Sequence, residues 1–197
     1  LVQHGFDHVP PNLRGAVLAI GNFDGVHRGH QALLTSAVET ARRGRHMSGA
    51  VVFEPHPRDY FQPDHPQFRL TPLNEKIRLF RKLGLEVAVV LPFNTSLANL
   101  TAEHFIDRIL VAGLGVNHIV VGYDFFFGKD RQGTPDSLAK SGAELGFGVT
   151  RIAPVAEAGE VFSSSAIRLL LAQGEVRQAA HILGHWWRLH GKVVGGA

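Results

Sequence analysis

A chain of 197 residues, 45% hydrophobic against 19% charged, has the size and composition of one folded domain with its own core, and this excludes wholesale disorder. It contains no cysteine, which excludes disulfides and thiolate metal sites and fits a reducing, cytoplasmic setting. The net charge of +3 suits an anionic small ligand, while the basic residues are too scattered for a nucleic-acid surface; Arg42, Arg43 and Arg45 form the one tight group. No apolar run approaches the roughly 20 residues of a membrane span. The opening Leu1-Val2-Gln3-His4 lacks the basic and apolar regions of a signal peptide, and with no initiator Met it reads as a processed chain or a fragment of a longer one. Neither nucleic acid nor a membrane is therefore an expected partner.

Short apolar runs alternate with amphipathic stretches, the rhythm of a parallel α/β sheet. Ala16 to Ile20 is a first strand ending at Gly21. From Gly29 to about Arg42, Leu33, Leu34, Ala37, Val38 and Ala41 recur at helical spacing. Ala50 to Phe53 is a second strand. Thr71-Pro72 has the form of a cap followed by proline at the first helical position, predicting a helix to Leu83 that stops at Gly84. Val87 to Leu91 is a third strand, and Thr101 caps a helix through Leu110. Ile119 to Val121 is a fourth strand; a helix near Ser137 to Leu145 and a strand near Val149 to Ala153 follow. Ser164 to Ala172 and Glu175 to Leu183 are helical, parted by Gly174. Arg188 to Val194 reads as one more strand, running into glycines. Two connections are unusually long: Glu54 to Leu70, with four prolines, and Gly122 to Thr134, with three consecutive phenylalanines. Both follow carboxyl ends of strands, where open α/β sheets place ligands.

The first of two phosphate-binding candidates joins the first strand to the first helix: Gly21-Asn22-Phe23-Asp24-Gly25-Val26-His27-Arg28-Gly29-His30. Its glycines allow a tight turn and close backbone approach, and the helix that follows aims free amides and its positive dipole end at an anion. His27 and His30, three apart, can face one site from the helix entrance. No Gly-Lys-Ser/Thr follows, so this is not a P-loop, and no complete G-x-G-x-x-G occurs. Two histidines could begin a metal site, yet no third ligand accompanies them, and no protein metal site is expected. The second candidate, Ser163-Ser164-Ser165-Ala166-Ile167-Arg168, opens a helix with hydroxyls and a forked cationic donor, and read alone it is also an ordinary serine-rich cap.

His27-Arg28-Gly29-His30 resembles the His-x-Gly-His signature of the nucleotidyltransferase superfamily, and the longer string from Gly21 is similar to bacterial FAD synthetases. Ser163 to Arg168 resembles the superfamily's Ser-Ser-Thr-x-Ile-Arg motif, with Ser165 in place of threonine. Val161 departs from the family, which often carries a basic residue there. Phe53-Glu54-Pro55-His56-Pro57-Arg58, Pro92-Phe93-Asn94, Glu103-His104-Phe105 and Gly122-Tyr123-Asp124-Phe125-Phe126-Phe127-Gly128 are similar to further family segments, in the family's order, over about Ala16 to Val194.

The resemblance implies a Rossmann-like nucleotidyltransferase fold, an open parallel sheet flanked by helices with a C-terminal helical stretch. It implies transfer of AMP from ATP to FMN, giving FAD and pyrophosphate, with magnesium accompanying ATP. His27, His30 and Asn22 would be catalytic. Gly21, Phe23, Asp24, Gly25, Gly29, Asp124, Ser163, Ser164, Ser165 and Arg168 would meet ATP. His56, Pro57, Arg58, Phe61, Phe105, Phe125 and Phe127, again with Asp124, would meet FMN. Residues 186–197 are similar to the start of a riboflavin kinase module, which implies an adenylyltransferase domain over 1–185, a kinase module in the full-length protein, and no riboflavin phosphorylation by these 197 residues. Two alternatives stay open: another small-molecule adenylyl- or cytidylyltransferase, and a noncatalytic flavin- or nucleotide-binding regulator.

Overall fold

The computed structural model describes residues 1–157, 160–189, 191 and 195. In chain order the elements are β1 (Val2–His4), β2 (Val17–Ile20), α1 (Arg28–Gly44), β3 (Ser48–Glu54), α2 (Pro57–Phe61), α3 (Leu73–Lys82), β4 (Val87–Pro92), α4 (Thr95–Ala98) and α5 (Ala102–His104). The last of these widens without a break into a π-helix over Phe105–Gly113. There follow β5 (His118–Gly122), α6 (Pro135–Leu145), β6 (Gly148–Ile152), a two-stranded hairpin of β7 (Ala156–Glu157) and β8 (Glu160–Val161), α7 (Ser164–Ala172) and α8 (Val176–Leu183).

Six strands form one wholly parallel sheet in the order β1-β4-β3-β2-β5-β6. The middle strands are apolar along their buried centres, as in Val17–Ile20, Ala50 to Phe53 and Ile119 to Val121, because helices cover both faces. On one face Leu18, Ile20, Val51, Val89 and Ile119 pack against Phe105, Ile109, Leu110 and Leu138. On the other, Val17, Ala19, Ala50, Val52 and Val120 pack against Leu34, Ala37 and Ala41 of α1 and Leu79 and Phe80 of α3. A smaller third cluster joins Leu70 and Phe162 to Ile167, Ala179, Ile182 and Leu183, fixing the last two helices to the body. The crossover from β2 to β3 packs α1 on one face of the sheet, while the crossover from β4 to β5 packs the π-helix on the other, so a crevice opens at the carboxyl ends of the strands beside β2.

The expected α/β architecture is present, with several local differences. Val2–His4 add an edge strand beside β4. Thr71 does not cap α3; Pro72 holds the cap position without a side-chain bond, and the Thr71 hydroxyl turns to Gly25 and Asp24. Thr101 does cap its helix, accepting from the His104 amide, but the helix continues past Leu110 to Gly113. Thr134 caps α6 in a reciprocal box with Ser137. The strand expected over Arg188 to Val194 lies largely outside the described residues.

Candidate active site

The turn from β2 into α1 is tightly constrained. Phe23 (φ 49°), Gly25 (φ 88°) and Val26 (φ 44°) take left-handed backbone angles, which for a β-branched residue such as Val26 is strained. The strain is held by burial, since Phe23 and Val26 are wholly inside, Phe23 edge-on to Phe80 at 5.6 Å between ring centroids. Gly25 also sits where a Cβ would lie 3.0 Å from Leu70 Cδ1.

His27 occupies the N-cap of α1, its Nδ1 accepting from the His30 amide at 3.3 Å. Because Nδ1 is an acceptor, the neutral ring carries its proton on Nε2, where it can donate to a ligand. The His27 and His30 rings stack at 3.6 Å between centroids. A Cβ at residue 29 would come within 3.1 Å of the His27 ring, so the glycine of His-x-Gly-His makes room for the stacked imidazole. Burial lowers the His27 pKa to about 4 against a weaker opposing pull from Asp24. Burial, with His27 and Lys76 adding, puts His30 well below the usual histidine range. Both imidazoles are therefore neutral hydrogen-bond donors at pH 7. His30 Nδ1 and Asn22 Oδ1 are buried with no partner among the described residues, and both residues border the crevice, where a ligand could satisfy them.

Across the crevice, Ser163 caps α7 by accepting from the Ala166 amide at 3.2 Å. Ser164 Oγ donates to the Asp24 carbonyl oxygen at 2.8 Å. Arg168 donates from Nε to the Phe68 carbonyl at 2.8 Å and from Nη2 to the Asp24 carboxylate. Two helix N-termini, each with polar side chains around it, thus face one another across one space.

That space is a cleft of about 1200 Å³ at the carboxyl edge of the sheet. It is bordered by Gly21, Asn22, Phe23, Asp24, His27, Gly29 and His30, by His56, Pro57, Arg58 and Phe61, by Phe105, Asp124, Phe125 and Phe127, and by Ser163, Ser164, Ser165 and Arg168. Of the residues expected to be catalytic or to meet ATP or FMN, Gly25 alone does not border it; its amide donates to Thr71 Oγ1 at 2.8 Å and its carbonyl meets His185 Nε2 at 3.1 Å. Asp24 does border it, but its carboxylate, 3% exposed, is occupied by protein donors.

At the far end, α2 is a short helix within the connection from Glu54 to Leu70. His56 caps it, accepting from the Arg58 amide at 3.1 Å, and burial together with Arg69 lowers its pKa to about 4. Tyr60, Phe61 and Phe93 form an edge-to-face cluster with centroids 5.2–5.7 Å apart, and Phe61 is 64% exposed. The three consecutive phenylalanines divide their tasks. Phe125 is half-buried and stacks on Phe127 at 5.3 Å, Phe126 faces outward under the Arg131 guanidinium, and Phe127 is buried against Phe105. Phe105 and Phe127 therefore belong to the core as well as to the cleft wall.

Sequence reasoning passed over Glu54 and Lys76. The Lys76 ammonium is buried beside the Glu54 carboxylate at 3.3 Å, and burial lowers its pKa. It also missed Lys129 and Arg131 at the cleft edge, although Lys-Asp-Arg inside the second long connection was a visible sign. Among the described residues no group of three or more His, Asp or Glu side chains is placed to hold a metal ion. No described helix is long and apolar enough to cross a membrane.

The bifunctional riboflavin kinase/FMN adenylyltransferase of Escherichia coli K12 is 40% identical over 193 residues, covering 98% of this chain and 61% of its own length. The protein of the same name from Pseudomonas fluorescens is 42% identical over 192 residues, with the same coverage. The chain thus spans about three-fifths of the curated relatives it matches. A structure named as a macrolide-efflux protein from Streptococcus pneumoniae superposes with a TM-score of 0.82 at 26% identity, covering 94% of this chain and 62% of that one. A pantoate–β-alanine ligase from Francisella tularensis shares the fold, with a TM-score of 0.53 at 13% identity over 90% of this chain and 77% of its own. The FAD synthetase family model matches residues 9–166, from the first turn before β2 into the Ser163–Arg168 motif, and the chain belongs to that family.

Proposed function

We propose that this chain transfers AMP from ATP to FMN, releasing pyrophosphate and giving FAD. The observation that carries the reading is the pairing of two facing helix N-termini, one with stacked neutral histidines and one with serines and an arginine, in a cleft that continues into an aromatic annex. The FMN phosphate oxygen attacks the α-phosphorus of ATP, forming the new P–O bond while the bond from the α-phosphorus to the bridging oxygen breaks and pyrophosphate leaves. The nucleophile is already ionised at neutral pH and needs no protein base. His27 and His30 donate hydrogen bonds to the reacting phosphate without changing charge, which suits preorganised stabilisation in a partly dry site. The first turn of α7 and Arg168 receive the departing phosphates. Phe61 with Tyr60 and Phe93 offers a face to the flat flavin ring. Magnesium would enter on the triphosphate, held by its oxygens.

Residues 1–185 carry this activity on our reading, in a cytoplasmic setting, and 186–197 begin a riboflavin kinase module of the kind the relatives' two-part names describe. Incubation of the purified protein with ATP and FMN, followed by chromatography of flavins and assay of pyrophosphate, tests the activity. FAD and pyrophosphate should appear in equal amounts. Pyrophosphate formed only with another phosphorylated acceptor would transfer the assignment to that acceptor, and none with any acceptor would overturn it.

A further inference from the structure

Asp24 is buried in the turn between the two phosphate-facing helices, and both its main chain and its side chain are engaged. Its Oδ1 accepts from the amides of Leu70 (3.1 Å) and Thr71 (3.0 Å) and from the Thr71 hydroxyl (3.3 Å), while Oδ2 takes the Arg168 Nη2. Its peptide oxygen takes the Ser164 hydroxyl at 2.8 Å. A carboxylate so surrounded has little capacity left for a ligand, and a nucleotide phosphate beside it would meet like charge.

We infer that Asp24 is a positioning residue for nucleotide binding, acting on the triphosphate through Arg168 and Ser164 without touching it. The inference rests on reading the cleft as an ATP-dependent adenylyltransferase site. Arg168 is gripped along one edge, Nε by the Phe68 carbonyl and Nη2 by Asp24, so the outer edge of the guanidinium is the part these bonds leave for phosphate oxygens. Ser164 is drawn to the same residue, which sets the first turn of α7 relative to the turn that precedes α1. The amides of Leu70 and Thr71 end the connection that carries His56 and Phe61, so one carboxylate also joins the placement of that connection to the aim of Arg168.

Asp24→Asn tests this, because it keeps the size and an acceptor oxygen while removing the charge that holds Arg168. ATP affinity of the whole chain is measured by calorimetry, beside KM for ATP and for FMN and the melting temperature. Kd and KM for ATP should rise about tenfold, the scale of losing an oriented guanidinium, with KM for FMN within about twofold. Arg168→Ala should weaken ATP by a similar factor, and the double variant should bind no worse than Arg168→Ala alone. Thr71→Val is the second variant, since Thr71 does not border the cleft yet donates to the Asp24 carboxylate; it should raise Kd for ATP severalfold and leave FMN unaffected. Parent-like ATP affinity in Thr71→Val and in folded Asp24→Asn would overturn the inference, as would additive losses in the double variant or equal shifts for ATP and FMN. A parent that binds ATP and makes no FAD would instead overturn the functional reading, while the ATP affinities would still decide the role of Asp24.

Discussion

The imidazoles of His27 and His30 lie nearly parallel, 22° apart, with the backbone amide of the second bonded to the ring of the first. Their removal should have unequal side effects. Either alanine variant should lower turnover about 10²–10³-fold, as for loss of one preorganised donor. His27→Ala should also cost about 1 kcal/mol of stability, because it deletes the N-cap of α1. Steady-state rates and thermal melts on both variants check this; a folded His30→Ala protein with parent turnover would refute the catalytic role.

Acid should destabilise the fold through its buried histidines. His27 and His56 have pKa values near 4 in the folded chain, lowered mainly by burial, against about 6.5 when unfolded. Between those values the unfolded chain binds protons that the folded one refuses. Their contribution is therefore complete above about pH 6.5 and is lost as the pH falls towards 4. Melting temperatures measured across that range should drop, and the drop should be shallower in His27→Gln and His56→Gln. Unchanged slopes in both would count against the assigned shifts.

Phe61 and Phe105 both border the cleft but should respond oppositely to truncation. Phe61 is 64% exposed, so Phe61→Ala should leave stability within about 0.5 kcal/mol and raise KM for FMN about tenfold, the scale of an aromatic stacking contact. Phe105 is 4% exposed in the core, so Phe105→Ala should cost about 3–5 kcal/mol. Denaturant titrations and flavin kinetics on the pair separate the two roles.

Arg168→Lys should behave as a loss despite its retained charge. An ammonium cannot bond Phe68 and Asp24 along one edge while presenting a second edge to phosphate. KM for ATP should rise about tenfold and KM for FMN much less. Equal changes in both would move this arginine away from the nucleotide.

The middle strands were legible because burial on two faces leaves uninterrupted apolar runs such as Val87 to Leu91. The three-residue β1 was not, since Val2-Gln3-His4 shows no such run and is a strand only through its pairing with β4. Thr71 misled because a hydroxyl before proline is a sound cap signal, and only the buried Asp24 carboxylate, 47 residues earlier, redirects it. The widening of the helix after Phe105 leaves no mark in a pattern read at 3.6 residues per turn. The two cleft-lining motifs were legible because each depends on local order alone: glycine turn, histidine cap, serine cap. Their meeting at Asp24 was not, because the partners are 140 and 144 residues away. Glu54 and Lys76 were hidden for the same reason, each looking like an ordinary solvated charge until the fold buries the lysine.

The indole of Trp187 donates to the Leu70 carbonyl at 3.0 Å and lies 5.6 Å from the Phe68 ring, while His185 reaches the Gly25 carbonyl. Chimaeras that exchange carboxyl-terminal parts between relatives would therefore inherit more than a tether. Spliced just after Gly184, a graft would bring a foreign ring into a seat shaped by native Phe68 and leave two carbonyls dependent on whatever the donor supplies. Spliced after Trp187, it would keep both native contacts with the Gly25 and Leu70 carbonyls, so a few residues in the choice of junction separate a hybrid that keeps these supports from one that has to rebuild them.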